Sequence, residues 1–428
     1  MKMKTVRRTV YISIHIFIFF GLFFQISSEA GDRISLKHQS RTAQEDWESE
    51  WEDEWDEEGA EDKVPSSFMF RYNRVEGIFL GASVSKESIR KKNISIPLPY
   101  GFTGYSFGQK EVEYQLGLEK GTFERSRLTI GGEFHHVIDT QDRWFIPDLE
   151  NSLAAFFLKE DFQDFYFKEG YSFYLDQIVG EPLKMHVAYH YEDYDSLEKK
   201  VNWSLFGGKK HFRENPSMSA LNMRSLKVRC IFDSRNSVKR TKRGWYVQLE
   251  GEYAGRGFGG EVDFDRLLAD IRRYQPLGWG SGIDVRIRLG SIHQDILWQK
   301  SFQLGGIGTL RGFPYKSLPL GSKQIGGNRM FLTQVEYRLG QEELYDVMNL
   351  GIFENFNFII FTDLGWVDCV DPGLGLIEGF GNLSFSNLKN DVGVALTDRN
   401  NNIRFELARR TDTGHKPFVF YFRINRTF

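Results

Sequence analysis

Residues 283–289 read Ile283-Asp284-Val285-Arg286-Ile287-Arg288-Leu289 and give the clearest indication of the fold class. Apolar side chains occupy every second position, and charged side chains occupy the positions between them. Because successive side chains of a β-strand point to opposite faces, the pattern predicts a strand with one apolar and one charged face. The alternation recurs from Phe68 onward, most clearly at 247–253, 331–339, 358–366 and 403–408.

Two architectures share this alternation, a soluble β-sandwich and a transmembrane β-barrel. Many of the strands extend over about ten residues, which is the length of a tilted membrane span. About 14 strands are countable, with little helix. A closed barrel leaves no unpaired edge in lipid. The sequence therefore predicts an all-β fold, a transmembrane antiparallel β-barrel over residues 66–428.

The composition agrees with a barrel and argues against a membrane helix bundle. Aromatic residues make up 15% of the chain, which contains 42 Gly and only 11 Pro, and the mean hydropathy is −0.41. Runs of about 20 apolar residues, which membrane helices need, do not occur after the N-terminus. Nucleophile-elbow, zinc-protease and phosphate-loop motifs are also missing from the sequence. We therefore expect no enzymatic activity, no cofactor, no metal and no nucleic-acid partner.

The N-terminus resembles an export signal. Four basic residues within the first eight precede the apolar run Val10–Phe24, and Ser28-Glu29-Ala30 offers a small-x-small cleavage site. The pattern predicts a signal peptide over residues 1–30, and a membrane anchor is the alternative. Export combined with a barrel predicts the cell outer membrane of a Gram-negative bacterium.

Residues 31–65 form a second region of distinct composition. Twelve acidic residues and no basic residue lie between Glu45 and Asp62, and this charge density favours disorder. Trp47, Trp51 and Trp55 are spaced by four, so they would share one face of a helix. The segment is predicted to be a solvated periplasmic tail, or alternatively a plug or docking peptide. Unchanged ion conductance after deletion of residues 44–62 would count against a plug.

Three further features of the sequence concern a possible insertion, a histidine pair and the two cysteines. Residues 151–158 look helical, and 161–171 are aromatic and charged, so residues 148–172 are interpreted as a loop or lid insertion with a short helix. His186 and His190 share a strand face and are predicted to be an interior or girdle pair. Cys230 and Cys369 either form one bridge or remain two thiols.

The segment 302–313 reads Phe302-Gln303-Leu304-Gly305-Gly306-Ile307-Gly308-Thr309-Leu310-Arg311-Gly312-Phe313, and Phe361-Thr362-Asp363-Leu364-Gly365 follows some fifty residues later. Phe361, Asp363 and Gly365 share the strand face opposite Ile360 and Leu364, so they point inward. A guanidinium inside a barrel needs a carboxylate partner, and Arg–Asp pairs are often bidentate.

These two motifs resemble the LGG…RGF loop and the F-x-D-x-G strand of the BamA/TamA surface-antigen family, also called bacterial surface antigen proteins. The resemblance implies 16 strands and an extracellular loop folded into the barrel. It also implies that Arg311, Gly312 and Phe313 reach Phe361, Asp363 and Gly365 on the second strand downstream. Val335-Glu336-Tyr337-Arg338 resembles the family's V-E-Y-R strand, which adds Glu336 to this site.

The C-terminal region supports the same resemblance. Five strands are predicted after the loop, at about 327–340, 355–367, 389–397, 402–410 and 416–427. The alternation of Phe420, Phe422 and Ile424 before the terminal Phe428 resembles the β-signal that the barrel-assembly machinery recognises. Asp233-Ser234-Arg235-Asn236 and Gly244 resemble a family hairpin. The match is best over residues 220–428.

The resemblance implies a role in insertion of outer-membrane proteins or lipids, or in translocation. The partners would be outer-membrane lipid, the barrel-assembly machinery for its own insertion, and an unfolded outer-membrane protein or a periplasmic protein. Only about 35 residues separate the predicted cleavage site from the first strand, so we expect a member of the family without POTRA modules. The alternative is a passive channel or structural surface antigen without insertase activity.

Overall fold

The computed structural model describes residues 68–84, 97–121, 128–180, 182–237, 241–278, 280–319, 326–340, 356–398, 403–412 and 417–424. Sixteen strands in these ranges are joined by hydrogen bonds, in sequence order, into one antiparallel sheet. The strands are β1 (Met69–Asn73), β2 (Gly77–Val84), β3 (Leu98–Ser106), β4 (Glu111–Gly121), β5 (Leu128–Thr140), β6 (Phe165–Ile178), β7 (Leu183–Ser196), β8 (Leu221–Asp233), β9 (Gly244–Ala254), β10 (Phe264–Gly278), β11 (Ser281–Gln294), β12 (Arg329–Leu339), β13 (Phe356–Asp368), β14 (Lys389–Asp398), β15 (Arg404–Arg410) and β16 (Val419–Arg423). The all-β prediction and the sixteen strands are confirmed.

The sheet has a charged inner face and an apolar outer face. Asp284, Arg286 and Arg288 of β11 are buried, as their alternation predicts. Both arginines donate to Asp270 on the adjacent β10, and Asp284 accepts a hydrogen bond from Arg338 on β12. Large apolar side chains such as Phe173 are exposed on the outer face. This distribution is that of a membrane barrel, in which lumen ion pairs replace water and an apolar band faces lipid.

Within the described ranges, one α-helix interrupts the strand pattern, α1 (Asp148–Leu158), together with two short 3-10 helices at Arg256–Phe258 and Trp298–Lys300. The predicted short helix is therefore present. The interpretation of residues 161–171 as loop was wrong in its second half, because β6 begins at Phe165. Tyr166 and Tyr174 on the inner face and Glu169 on the outer face obscure its alternation. Among the described residues, the helices are too short and too polar to cross a membrane.

Three of the predicted features lie in segments that the structure does not describe. The signal peptide (1–30) and the acidic tail (31–65) lie outside the described residues, and so does Phe428. Cys230 and Cys369 are free thiols.

Three long connections, between β5 and β6, β7 and β8, and β11 and β12, meet at one end of the barrel, where Lys316 bonds Asp142 and Arg213 pairs with Asp164.

Candidate functional site in the barrel lumen

Residues 302–318, here called the lumen segment, fold from the β11–β12 connection into the barrel. Two isolated bridges frame the segment, Phe302 with Gly327 and Leu304 with Leu318. Its apolar side chains pack inward, and Leu310 is completely buried. The turn at its tip requires glycine at position 308, where φ is +71° and a Cβ would lie 2.6 Å from a backbone oxygen. The Gly-rich sequence thus permits a tight turn inside a crowded lumen.

Arg311 lies at the centre of the site and is completely buried. Its Nε donates to Asp363 Oδ2 at 2.8 Å, and its Nη2 donates to Asp363 Oδ1 at 2.7 Å. The guanidinium carbon lies 3.4 Å from the centroid of the Phe361 ring. The arginine is therefore held in one orientation by a bidentate carboxylate and by an aromatic face.

Two further carboxylates complete the coordination of Arg311. Its Nη1 donates to Glu336 Oε1 at 2.8 Å and to Glu406 Oε1 at 3.0 Å. Arg404 donates to both oxygens of Glu336 and to Glu406. We call Arg311, Asp363, Glu336, Glu406 and Arg404 the arginine cluster. It fastens the lumen segment to β12, β13 and β15 and balances most of the buried charge.

The residues next to Arg311 are also placed against the wall. The Gly312 amide donates to Asp391 Oδ2 on β14 at 2.8 Å. A Cβ on Gly312 would lie 2.7 Å from the Arg410 amide nitrogen, so only glycine allows this approach. Phe313 is buried, with the Arg410 guanidinium 4.2 Å from its ring centroid. Gly365 leaves room for Leu310. The structure thus brings all seven predicted loop and wall residues together.

Sequence reasoning missed part of this site. The motifs do not identify four of its residues, which are Glu406, Arg404, Asp391 and Gln334. Gln334 Nε2 donates to the Thr309 carbonyl oxygen at 3.0 Å. Strand parity does place all four side chains on the inner face. Strand parity shows which face a side chain lies on but not its height along the barrel axis. Because inward charged residues are common in a barrel, parity alone cannot identify these four residues as members of the site.

A second set of polar contacts lies at the rim of the barrel. Lys316 donates to Asp142 Oδ2 and to Asp164 Oδ2, both at 2.7 Å. Arg213 pairs with Asp164 and lies over the Tyr315 ring. Burial raises the pKa of Asp142 above its usual range, although Lys316 opposes the shift. The lumen segment is therefore tied at its outer end to two neighbouring loops.

Part of the lumen remains open as a cavity of about 660 Å³. The predicted pair His186 and His190 both line it. His190 Nδ1 lies 3.4 Å and His135 Nε2 lies 3.5 Å from Glu192 Oε1. Within the part of the chain that the structure describes, no cluster of three or more His, Cys, Asp or Glu is arranged to hold a metal ion. The cavity is lined by paired charges, which suits water and small ions.

The predicted β-signal lies on the last described strand. Phe420 and Phe422 are exposed on its outer face, Ile424 follows the strand and is partly buried, and Arg423 points inward. The outward aromatic residues match a lipid-facing strand. The recognition of this strand by an assembly machinery stays a prediction.

Comparisons with known proteins agree with this fold. A curated relative, the outer membrane protein assembly factor BamA of Nitratidesulfovibrio vulgaris, is 26% identical over 163 residues, which cover 35% of this chain and 20% of the relative. The match thus spans about a fifth of that relative's length. The crystal structure of BamA from Haemophilus ducreyi lacking POTRA domains 1–3 is similar, with a TM-score of 0.55 and 14% identity, over 84% of this chain and 71% of that chain.

The family model extends the likeness beyond the region that the motifs covered. Residues 103–428 match the Omp85 superfamily domain, whereas the sequence motifs gave their best match over 220–428. Proteins of the Omp85 and BamA families are outer-membrane β-barrels of Gram-negative bacteria, and the predicted resemblance to the BamA/TamA family is confirmed. Since the match covers most of the described barrel, this chain belongs to the Omp85 superfamily.

Proposed function

We propose that this chain acts in the outer membrane in the insertion of outer-membrane proteins or lipids, or in translocation across that membrane. The observation that carries the proposal is the lumen segment held by Arg311 on three wall strands through Asp363, Glu336 and Glu406. Burying a charge cluster of this size costs desolvation free energy. The cluster lies inside the barrel, where it can hold the lumen segment fixed while the strands of the wall move.

The family supports the same role. The curated relative is described as an outer membrane protein assembly factor. By analogy, the partners of this chain are membrane lipid, an unfolded outer-membrane protein as client, and the barrel-assembly machinery during its own insertion. The proposal assigns no catalytic step, no cofactor and no nucleic acid to the chain.

Insertion can be tested with the purified chain in vesicles of phosphatidylethanolamine and phosphatidylglycerol. A urea-unfolded small outer-membrane barrel is added, and its folding is followed by its shift in mobility on unheated gels. We expect faster folding of this client than in vesicles that contain a porin at equal density. Equal rates in the two preparations would exclude insertase activity.

A passive channel is the second candidate, and the cavity of about 660 Å³ lined by charged side chains favours it. A channel of this kind conducts ions in a planar bilayer but leaves client folding unchanged. Measuring conductance on the preparation used for the folding assay separates the two functions. Conductance without acceleration of folding would establish the channel in place of the insertase.

A further inference from the structure

Tyr72 is buried on a face of the sheet where its neighbours are exposed. Opposite residues of an antiparallel pair point to the same face. Tyr72 lies opposite Ile78, and Phe70 lies opposite Leu80, so all four share the outer, apolar face. Phe70, Ile78 and Leu80 are exposed, whereas Tyr72 retains 3% of its accessible surface. Something therefore covers the outer face of β1 near its end.

The cover is helix α1 together with residues 201–207, here called the 201–207 segment. The Tyr72 ring lies 5.4 Å from the Phe156 ring and 6.3 Å from the Trp203 ring, measured between centroids. The Tyr72 hydroxyl donates to the Trp203 carbonyl oxygen at 2.6 Å. The segment is bonded to the end of the helix, since the Leu205 amide donates to the Phe156 carbonyl oxygen at 2.8 Å.

Helix α1 starts on the inner side of the wall. Glu150, in its first turn, accepts hydrogen bonds from Arg423 of β16 at 3.0 and 3.2 Å. Arg423 lies opposite Arg404, a member of the arginine cluster, so it points into the lumen. The beginning of the helix is therefore a lumen element in contact with the last strand.

The middle of the helix lies at the free side of the first strand. Ser152 Oγ accepts a hydrogen bond from the Tyr72 amide at 3.1 Å. The Tyr72 amide therefore points away from β2, whose hydrogen bonds with β1 lie on the other side of the strand. Strands β1 and β16 are the two ends of the sheet. Going along α1, the contacts change from the lumen side of β16 to the free side of β1 and then to its outer face.

We propose that α1 passes through the barrel wall between β1 and β16, and that its outer end and the 201–207 segment contact acyl chains of the outer leaflet. Large apolar side chains are exposed there, namely Phe157, Leu158, Trp203, Leu205 and Phe206. An exposed apolar patch of this kind marks an interaction surface.

The patch is continuous with the lipid-facing band of the barrel. The Phe156 ring lies 6.5 Å from the ring of Phe70, which belongs to that band. Lys209 and Lys210 follow Phe206 after two glycines and are exposed, and Lys210 pairs with Glu160. Aromatic residues flanked by lysine are typical of the interface between acyl chains and headgroups. Continuity and charge both favour lipid over a protein partner as the occupant of this surface.

Lipid contact is tested by quenching from brominated acyl chains. In a Cys230→Ser, Cys369→Ser background, Phe206→Cys is labelled with a bimane probe, and the protein is inserted into phosphatidylcholine vesicles with or without bromine on the chains. Phe173→Cys on the outer face of β6 is the lipid-facing control, and Ser386→Cys in an exposed loop is the water-facing control. Folded protein is selected by its compact mobility on unheated gels.

We expect quenching at position 206 comparable to that at position 173 and well above that at position 386. Quenching no greater than at position 386 would overturn the proposal and would point to a surface open to water or covered by protein. The measurement involves no client, so its failure is distinct from a failure of the proposed insertion activity.

The passage through the wall is tested by cross-linking. The pair Phe70→Cys and Phe156→Cys should be joined by a short bifunctional maleimide in intact vesicles. The matched pair Phe134→Cys and Phe156→Cys should not react, because Phe134 lies on β5. Absence of cross-linking in the first pair, or equal cross-linking in both, would place α1 elsewhere and overturn the proposal.

Discussion

Arg311 and Asp363 lie 52 positions apart in the chain and meet in the lumen through two hydrogen bonds of 2.8 and 2.7 Å. The same guanidinium reaches Glu336 and Glu406, which lie on different strands. A planar fork with five donors can satisfy three carboxylates at once, whereas the ammonium of lysine is a compact point charge. The identity of this one side chain therefore determines how firmly the lumen segment is held.

Arg311→Ala should release the lumen segment. The substitution removes the bidentate cation of Asp363 and leaves Glu336 and Glu406 with their bonds from Arg404, and removing one partner of a buried ion pair costs about 3–5 kcal/mol. Lys316, whose side chain is mostly covered, should then become a site of rapid tryptic cleavage. Limited proteolysis from the outer side of vesicles measures this directly.

Arg256→Ala is the matched control for that experiment, because Arg256 is an exposed loop arginine 3.8 Å from Asp263. It should leave cleavage after Lys316 unchanged. Arg311→Lys should give intermediate protection, since it keeps the charge and loses the bidentate geometry. If Arg311→Ala remained as resistant as the parent chain, the arginine cluster would not hold the segment.

Asp363→Asn and Asp391→Asn should differ although the two residues lie opposite each other on β13 and β14. Asp363 pairs with Arg311, so its neutralisation removes a charge-assisted pair and should lower the unfolding midpoint clearly. Asp391 accepts one bond from the Gly312 amide, which an asparagine oxygen also accepts, and its neutralisation removes repulsion between adjacent carboxylates. Asp391→Asn should be neutral or stabilising in urea unfolding, and an equal loss in both variants would contradict this account.

Gly312→Ala should destabilise the barrel through steric overlap. The new Cβ would lie 2.7 Å from both the Arg410 amide nitrogen and the Asp391 Cβ, neither of which is a flexible group. Overpacking of this kind costs about 1–3 kcal/mol. Gly257→Ala is the control, because no atom lies within 4 Å of its added Cβ. Equal unfolding midpoints for the two variants would show that the segment does not approach β14 and β15 this closely.

Arg423→Ala should loosen helix α1. Arg423 is the partner of Glu150 and also donates to the Phe145 carbonyl oxygen at 2.8 Å. We expect faster amide hydrogen exchange across residues 148–158, with little change in peptides from β9 to β11. Glu150→Gln should give a smaller effect in the same peptides. Unchanged exchange over α1 in both variants would mean that the contact with β16 does not hold the helix.

Some residues of the site could be predicted from the sequence and others could not, for physical reasons. Arg311 and Asp363 could be paired from sequence because a buried guanidinium needs a carboxylate and strand parity put Asp363 on the inner face. Glu406 points inward like many other charged residues, and only its height along the barrel axis brings it to Arg311. The course of α1 could not be predicted, since its cover over Tyr72 combines side chains from two separate loops.

The hydrogen-bonded wall and the lumen contacts have different consequences for the order of assembly. Each ladder among the described strands joins neighbours in sequence, so the wall can grow by successive local additions. The bond from Arg311 to Glu406 spans 95 positions, and the bond from Arg423 to Glu150 spans 273. Both become possible only after β15 and β16 have arrived. These ion pairs therefore distinguish a finished barrel from an unfinished one, and a chain arrested before β15 would lack the carboxylate of Glu406 for Arg311.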